Sequence, residues 1–392
     1  MNIEKYKEAS RHTLAEDLLK DVSRYRLFGG LDASIDPVVA WFHHMHETQP
    51  VRYRPEYDLW EVFRYKDTEE VLSNYATFSI DKCVPSGMPF ALAMVDLPEH
   101  RQLRSLVSKA FTPRSLEELK PHIVEIVEEL LELGMVRGKM SLFTELAHPL
   151  MMRVMAKMLG LPPSDQERFL QWAQQLRMQL VGVEHSVDHS ELLQYFSDLL
   201  DKRKRDPRDD LISAVLAAEE NGPYLTYEKK LFLCVELMTA NPTTIKLLTH
   251  ALSRLSQYPE IYQDLRNDPS LIPRAIEETL RYDFNLDLWR TARHDTVLGG
   301  QQIKAGQYVV AWTGGANCDE TYFPHSAQFD IRRFPNPHLT FGHGMHSCLG
   351  APLARLLARV TLERIVTHCS EIHLDSEKSR QSPGQTKLIL TK

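Results

Sequence analysis

The stretch Phe341-Gly342-His343-Gly344-Met345-His346-Ser347-Cys348-Leu349-Gly350 decides how this chain is read. Its glycines permit backbone conformations with positive φ and let the chain approach a flat partner closely. The cysteine stands just before a run, Pro352 to Cys369, whose apolar Leu353, Leu356, Leu357 and Val360 recur at helical spacing. A thiol there meets the unsatisfied N–H groups and the positive dipole end of a helix, and both favour the thiolate. The loop therefore offers an anionic sulfur ligand. Two other readings stand beside this one: a buried structural thiol, and a zinc site shared with His343 and His346. A structural zinc site wants a fourth ligand, and the sequence supplies no neighbour for it.

The chain around this loop has 392 residues, which by length alone suggests two or three domains; one large domain organised around a cofactor is the other reading. A hydrophobic fraction of 43% allows a large core, and a net charge of −7 argues against wholesale nucleic-acid binding. The opening MNIEKYKEAS lacks the apolar core of a signal peptide, and no run of 18 apolar residues occurs, so no membrane anchor is expected. Cys83, Cys234, Cys318, Cys348 and Cys369 are odd in number and scattered, which argues against a disulfide framework and makes a reducing, cytoplasmic compartment the simplest expectation.

Residues 1–95 mix helix and strand, with Trp60 to Tyr65 read as part of a small sheet after the turn-like Pro55-Glu56-Tyr57-Asp58. Beyond Pro98 the pattern is helical. Pro98 to Phe111 is amphipathic, with Asp96 read as its N-cap and Pro98 in its first turn. Helical patterns continue over 115–135 and 142–203, and again over 271–283. Tyr227 to Ser256 is the longest helical candidate. Its apolar first half suits a buried central helix, and Pro242 interrupts it. Leu298-Gly299-Gly300 and Val309 to Trp312 suggest hairpin strands, and 335–350 reads as loop. The expected fold is mainly α with a minor β region.

Two further stretches carry chemistry. In Glu278-Thr279-Leu280-Arg281 the carboxylate and guanidinium are three residues apart on one helix face and can pair; a solvated surface pair is the plain alternative. Phe329-Asp330-Ile331-Arg332-Arg333 follows about fifty residues later. In Asp96-Leu97-Pro98-Glu99-His100-Arg101-Gln102-Leu103-Arg104, His100 and Arg104 lie four apart on one face. Ala110-Phe111-Thr112-Pro113-Arg114 comes next.

Together these stretches resemble the cytochrome P450 family, in its soluble bacterial form, from about residue 35 to the C-terminus. Phe341, Gly342, Gly344, Cys348 and Gly350, continuing through Ala351-Pro352-Leu353-Ala354-Arg355, are similar to its haem-binding signature. The resemblance implies a single domain over 1–392, with haem b buried between the long central helix and the cysteine-ligand helix. It implies Cys348 on the iron, with Phe341 and Gly350 beside the cofactor. A thiolate ligand pushes electron density onto iron and favours O–O cleavage. It implies that Glu278, Arg281 and Arg333, with Arg332 as the second choice, lock the fold around the loop. It implies that His100, Arg104, Arg290 and His346 neutralise the two haem propionates, for which charge-assisted donors are needed. Exposed helix charges are the alternative for these residues, and the preferred one for Arg101.

The resemblance breaks in the central helix. Family members carry a pattern like A-G-x-[DE]-T-T; here the stretch is Thr239-Ala240-Asn241-Pro242-Thr243-Thr244. Thr243 matches the oxygen-side alcohol, while Pro242 replaces the acid. Proline cannot ionise, and it lacks the N–H that would bond the Met238 carbonyl. Waters held by Asn241 and Thr243, a substrate group, or the use of hydrogen peroxide would each replace the acid; a tolerated kink is the bland reading. Glu236, seven residues before Thr243, either binds a basic substrate group or pairs with another helix.

The function implied is insertion of one oxygen atom into a small, mainly apolar organic substrate. No flavin or dinucleotide fingerprint is present, so a ferredoxin-type or flavoprotein partner supplies the electrons. A peroxide-driven, coupling or dehydration enzyme stays open beside it, as does a haem-binding carrier or sensor. The resemblance places Met238, Thr239, Leu286, Leu288 and the stretch from Val84 to Met94 near the substrate, with Asp287 as a polar contact. It assigns Arg101, Lys109 and Arg355 to the docking face of an acidic partner.

Overall fold

The Asp36 side chain accepts the Val38 N–H at 2.8 Å and Pro37 fills the first turn, so helix α1 (Pro37–Thr48) begins there. The computed structural model describes residues 36–81, 83, 91–165, 167–169, 171–172, 175, 188–217, 226–239, 242–284, 286–375 and 387–391. Strands β1 (Val51–Arg54) and β2 (Leu59–Val62) pair antiparallel across the turn at Tyr57-Asp58, as expected for the segment near Trp60. Helix α2 (Tyr65–Ser73) and the short β3 (Phe78–Ser79) follow.

The helical body is built from α3 (Glu99–Ser108), α4 (Pro113–Arg137), α5 (His148–Leu159), α6 (Ser190–Arg205) and α7 (Leu211–Ala217). It continues through α8 (Tyr227–Thr239), α9 (Pro242–Gln257), α10 (Pro259–Asn267) and α11 (Ile272–Tyr282). Thr112 caps α4 through its side chain with Pro113 in the first turn, and Gly138 at φ +66° ends it. Asp96 does not cap α3. Pro98 holds the cap position, while the Asp96 carboxylate accepts from Ser79, Ile80 and Arg293. The carboxylate thereby ties β3 to the start of the helix rather than serving the helix N–H groups.

Strands β4 (Lys139–Ser141), β9 (Glu371–Leu374) and β10 (Lys387–Thr391) form a three-stranded sheet in the order β4-β10-β9. Strands β5 (Asp287–Ala292) and β8 (Tyr308–Trp312) complete a five-stranded sheet ordered β1-β2-β8-β5-β3. Its β2–β8 pair is parallel. Gly299 and Gly300 turn β6 (Thr296–Leu298) into β7 (Gln301–Ile303) as a separate hairpin. The expectation of a hairpin from Leu298 to Trp312 is corrected accordingly: β8 pairs with β2 and β5, because its buried Val309, Val310 and Ala311 belong in the sheet core.

Helix α12 (Thr313–Asn317) leads into the long loop, and α13 (Ala351–His368) leaves it. Helix α13 packs against α4, α9 and α11. The apolar stretch Tyr227–Gln257 lies mostly buried in the same core. Helices α8 and α9 are the two described parts of one helical stretch, Tyr227–Gln257, with Pro242 inside it; Ala240 and Asn241 lie outside the described residues.

Candidate active site

The cysteine loop is held by its own backbone. Cys348 N–H donates to the Phe341 carbonyl at 2.7 Å, Gly342 N–H to Leu339 at 2.8 Å, and Ser347 N–H to Gly344 at 3.1 Å. Gly344 sits at φ +70°, and a Cβ there would lie 3.0 Å from Ser73 Cα and 3.1 Å from the Leu72 carbonyl. Both the conformation and the close approach to α2 therefore require glycine. Cys348 is separated from the start of α13 by Leu349 and Gly350, and the N–H groups of Gly350 and Ala351 reach its sulfur. Burial pushes the Cys348 thiol up, while those N–H groups, Arg104 and Arg355 pull it back. The helix end therefore favours the thiolate as expected, but against a larger desolvation that a bound metal cation would offset.

Behind the loop lies the expected triad. Glu278 and Arg281 form a bidentate pair at 2.7 and 2.9 Å, with both side chains fully buried. Arg281 also donates to the carbonyls of Asn317 (2.9 Å) and Gln328 (3.1 Å). Arg333 completes the set, 3.2 Å from Glu278, whereas Arg332 pairs with Asp264 at the surface. Glu278 accepts further from Asp330 N–H and from Asn336, both at 3.0 Å. Sequence reasoning missed Asn317, which bonds Leu339 N–H and Thr340 and so joins the triad to the loop. Nothing in its sequence context marked it.

One cavity of about 330 Å³ lies between α13 and the α8–α9 region. Cys348, Phe341, Gly350 and Thr243 line it, together with His100, Arg104, Arg290 and His346. Arg104 donates to the carbonyls of Met345 (3.0 Å) and Ser347 (2.8 Å), and buried Arg290 to that of Trp289 (2.7 Å). No carboxylate among the described residues pairs with either guanidinium. Burial, helped by Arg104, pushes His100 down to about 4; burial, His100 and Arg290 push His346 down to about 3. His346 Nε2 is buried without a hydrogen-bond partner. A buried guanidinium, a half-buried one and an orphaned ring nitrogen, all on residues lining a cavity that also has a thiol on its wall, fit a dianionic, metal-bearing group.

Other expected residues part company with the cavity. Leu286 and Leu288 line it, as do Leu92, Ala93 and Met94. Met238 is packed in the core and does not line it. The Thr239 side chain, Asn241 and residues 84–90 lie outside the described residues. Asp287 accepts from Trp289 Nε1 at 2.8 Å and does not line the cavity. Glu236 accepts backbone N–H groups from Ala91, Leu92 and Ala93 at the cavity wall. Arg355 is bound in bidentate fashion by Glu277 at 2.7 and 2.8 Å, so it is not a free docking cation. Burial tends to raise Glu277, but Arg355 and His338 outweigh it and hold the carboxyl at about 2.

The family model for cytochrome P450 matches residues 135–392. The chain belongs to the cytochrome P450 family. This P450 is 36% identical over 342 residues to the putative cytochrome P450 YjiB of Bacillus subtilis, covering 83% of this chain and 86% of that one. It is 35% identical over 350 residues to mycinamicin IV hydroxylase/epoxidase of Micromonospora griseorubida, covering 85% and 88%. Its fold matches that of CYP109E1 from Bacillus megaterium in complex with testosterone at a TM-score of 0.80, with 30% identity over 92% of this chain and 99% of that one. It is accordingly an oxidoreductase, a monooxygenase acting on small organic molecules. P450s of this kind carry thiolate-ligated haem iron and take electrons from redox partners.

Proposed function

We propose that Cys348 would hold the iron of haem b through its thiolate and that His100, Arg104, Arg290 and His346 would hold its propionates, with Phe341 and Gly350 beside the cysteine. The observation that carries this is the joint presence, on one cavity, of the thiol, two guanidiniums without carboxylate partners and the orphaned Nε2 of His346. When bound, the haem iron activates dioxygen so that one oxygen atom enters the substrate. The chain's own residues do the rest. Arg104 and Arg290 would supply fixed positive charge to the propionates, and the imidazoles of His100 and His346 would supply N–H donors. Thr243, which lines the same cavity as Cys348, would hold and pass a proton through its hydroxyl.

The substrate is a mainly apolar organic molecule, supported by Leu92, Met94, Leu237, Leu286 and Leu288 on the wall. The testosterone bound by CYP109E1 is of that character. Electrons come from a separate ferredoxin-type or flavoprotein donor. Cys348→Ser should abolish the red-shifted absorbance of the reduced carbon monoxide complex while the protein still folds. Survival of that band in Cys348→Ser overturns the assignment.

A further inference from the structure

Glu236 lies in α8, is 6% exposed, and lines the same cavity as Cys348 and Thr243. A carboxylate at such a place is costly unless its charge is met by donors. Here three consecutive N–H groups of a distant segment meet it. Ala91 and Leu92 donate to Oε2 at 2.9 and 2.7 Å, and Ala93 donates to Oε1 at 2.7 Å. Successive N–H groups turned toward one point form an anion nest. Within a folded chain such donors would be left unpaired if the anion were removed. Burial pushes the Glu236 carboxyl up, and the three N–H groups pull it back.

The consequence falls on the cavity wall. Leu92 and Ala93, whose amides are captured, and the adjacent Met94 all line the cavity. No regular secondary structure holds residues 91–95. The carboxylate is the feature that fixes this backbone against α8. With both of its oxygens accepting from these amides, it is also a poor receptor for a substrate cation.

We propose that Glu236 is a positioning residue that latches the Ala91–Ala93 backbone onto α8, and thereby sets the apolar wall and the access of small molecules to the iron. This rests on reading the cavity as the haem and substrate site. The latch favours neutral, apolar substrate surface at this wall, because the Glu236 charge is met by backbone donors.

The test uses the haem-loaded enzyme and compares wild type with Glu236→Gln and Glu236→Asp. Glutamine offers one acceptor and turns an N–H donor toward donors; aspartate keeps the charge but falls one methylene short. Amide hydrogen exchange over residues 91–94 should accelerate at least about tenfold in Glu236→Gln, the scale expected from losing charge-assisted hydrogen bonds. Glu236→Asp should be intermediate. Exchange over residues 272–282 and the haem absorbance should be unchanged. Imidazole, which binds haem iron directly, should associate faster with the glutamine variant. Unchanged exchange over 91–94 and unchanged imidazole entry overturn the latch. So does a selective loss of affinity for dodecyltrimethylammonium over dodecanol, which would make Glu236 a cation receptor. A wild type whose spectrum ignores imidazole sinks the haem reading instead, and the exchange measurement still judges the latch by itself.

Discussion

Thr243 and Pro242 hold the residue-scale question of oxygen use. Thr243 lines the cavity that Cys348 also lines, which supports the proposed proton role; the acid that the resemblance leads one to expect is absent from the sequence. Pro242 lies within the helical stretch Tyr227–Gln257, where its ring nitrogen has no N–H to give to the turn before it. With a redox partner, Thr243→Ala should divert electrons to hydrogen peroxide, because the distal side of the cavity loses its hydroxyl. The measure is product formed per NAD(P)H consumed, with catalase present. Loss of general acid–base help of this kind is worth on the order of 10²–10⁴-fold in rate. A coupling ratio equal to wild type would remove Thr243 from the proton path. Pro242→Asp should change that ratio only modestly if another relay already serves the site.

Among the elements, the join between α11, α12 and the cysteine loop governs stability. Glu278 serves Arg281, Arg333, Asn336 and the Asp330 N–H at once, all in a buried setting. Glu278→Ala leaves a buried guanidinium without its carboxylate, a change that costs roughly 3–5 kcal/mol. Haem content after purification and the urea unfolding midpoint should both fall. A variant that folds, keeps haem and loses only turnover would instead make Glu278 a catalytic group. This triad was legible in the sequence because pairing at i and i+3 is a local rule, and Arg333 followed from the resemblance. Cys348 was legible because glycines, a thiol and a helix start crowd into ten residues. Glu236 was not, since its partners are backbone amides about 145 residues away, and amides carry no residue-type signal. Asn317 was hidden for a like reason: its side chain serves Thr340 and a loop N–H, and only the fold brings them together. Asp96 misled for the converse reason, since a good local cap was taken by a stronger distant claim from Ser79 and Arg293.

On the scale of the whole molecule, a net charge of −7 sets the field that an acidic electron donor must enter. Such a donor is repelled on average, so local cations beside the cysteine loop have to guide it. Arg101 and Lys109 are exposed at and just beyond α3, and Arg101 shares a hollow with Arg104 and Met345 of the loop. Arg355 belongs to a different class because Glu277 already neutralises it. Charge steering acts mainly on association and is screened over about 8 Å at physiological ionic strength. The second-order rate of reduction by a ferredoxin-type donor should therefore fall as salt rises. Arg101→Glu and Lys109→Glu should each slow it at low salt, and the difference from wild type should vanish at high salt. Both variants should keep their unfolding midpoint, since exposed substitutions usually shift stability by within about 0.5 kcal/mol. Arg355→Glu should behave otherwise. It breaks the bidentate pair and sets two carboxylates side by side, so it should lower the midpoint as well as the rate. Stopped-flow reduction across a salt series, read beside thermal unfolding of the same three variants, separates steering from structure. A rate indifferent to salt and to reversal of Arg101 and Lys109 would move the docking site off this face.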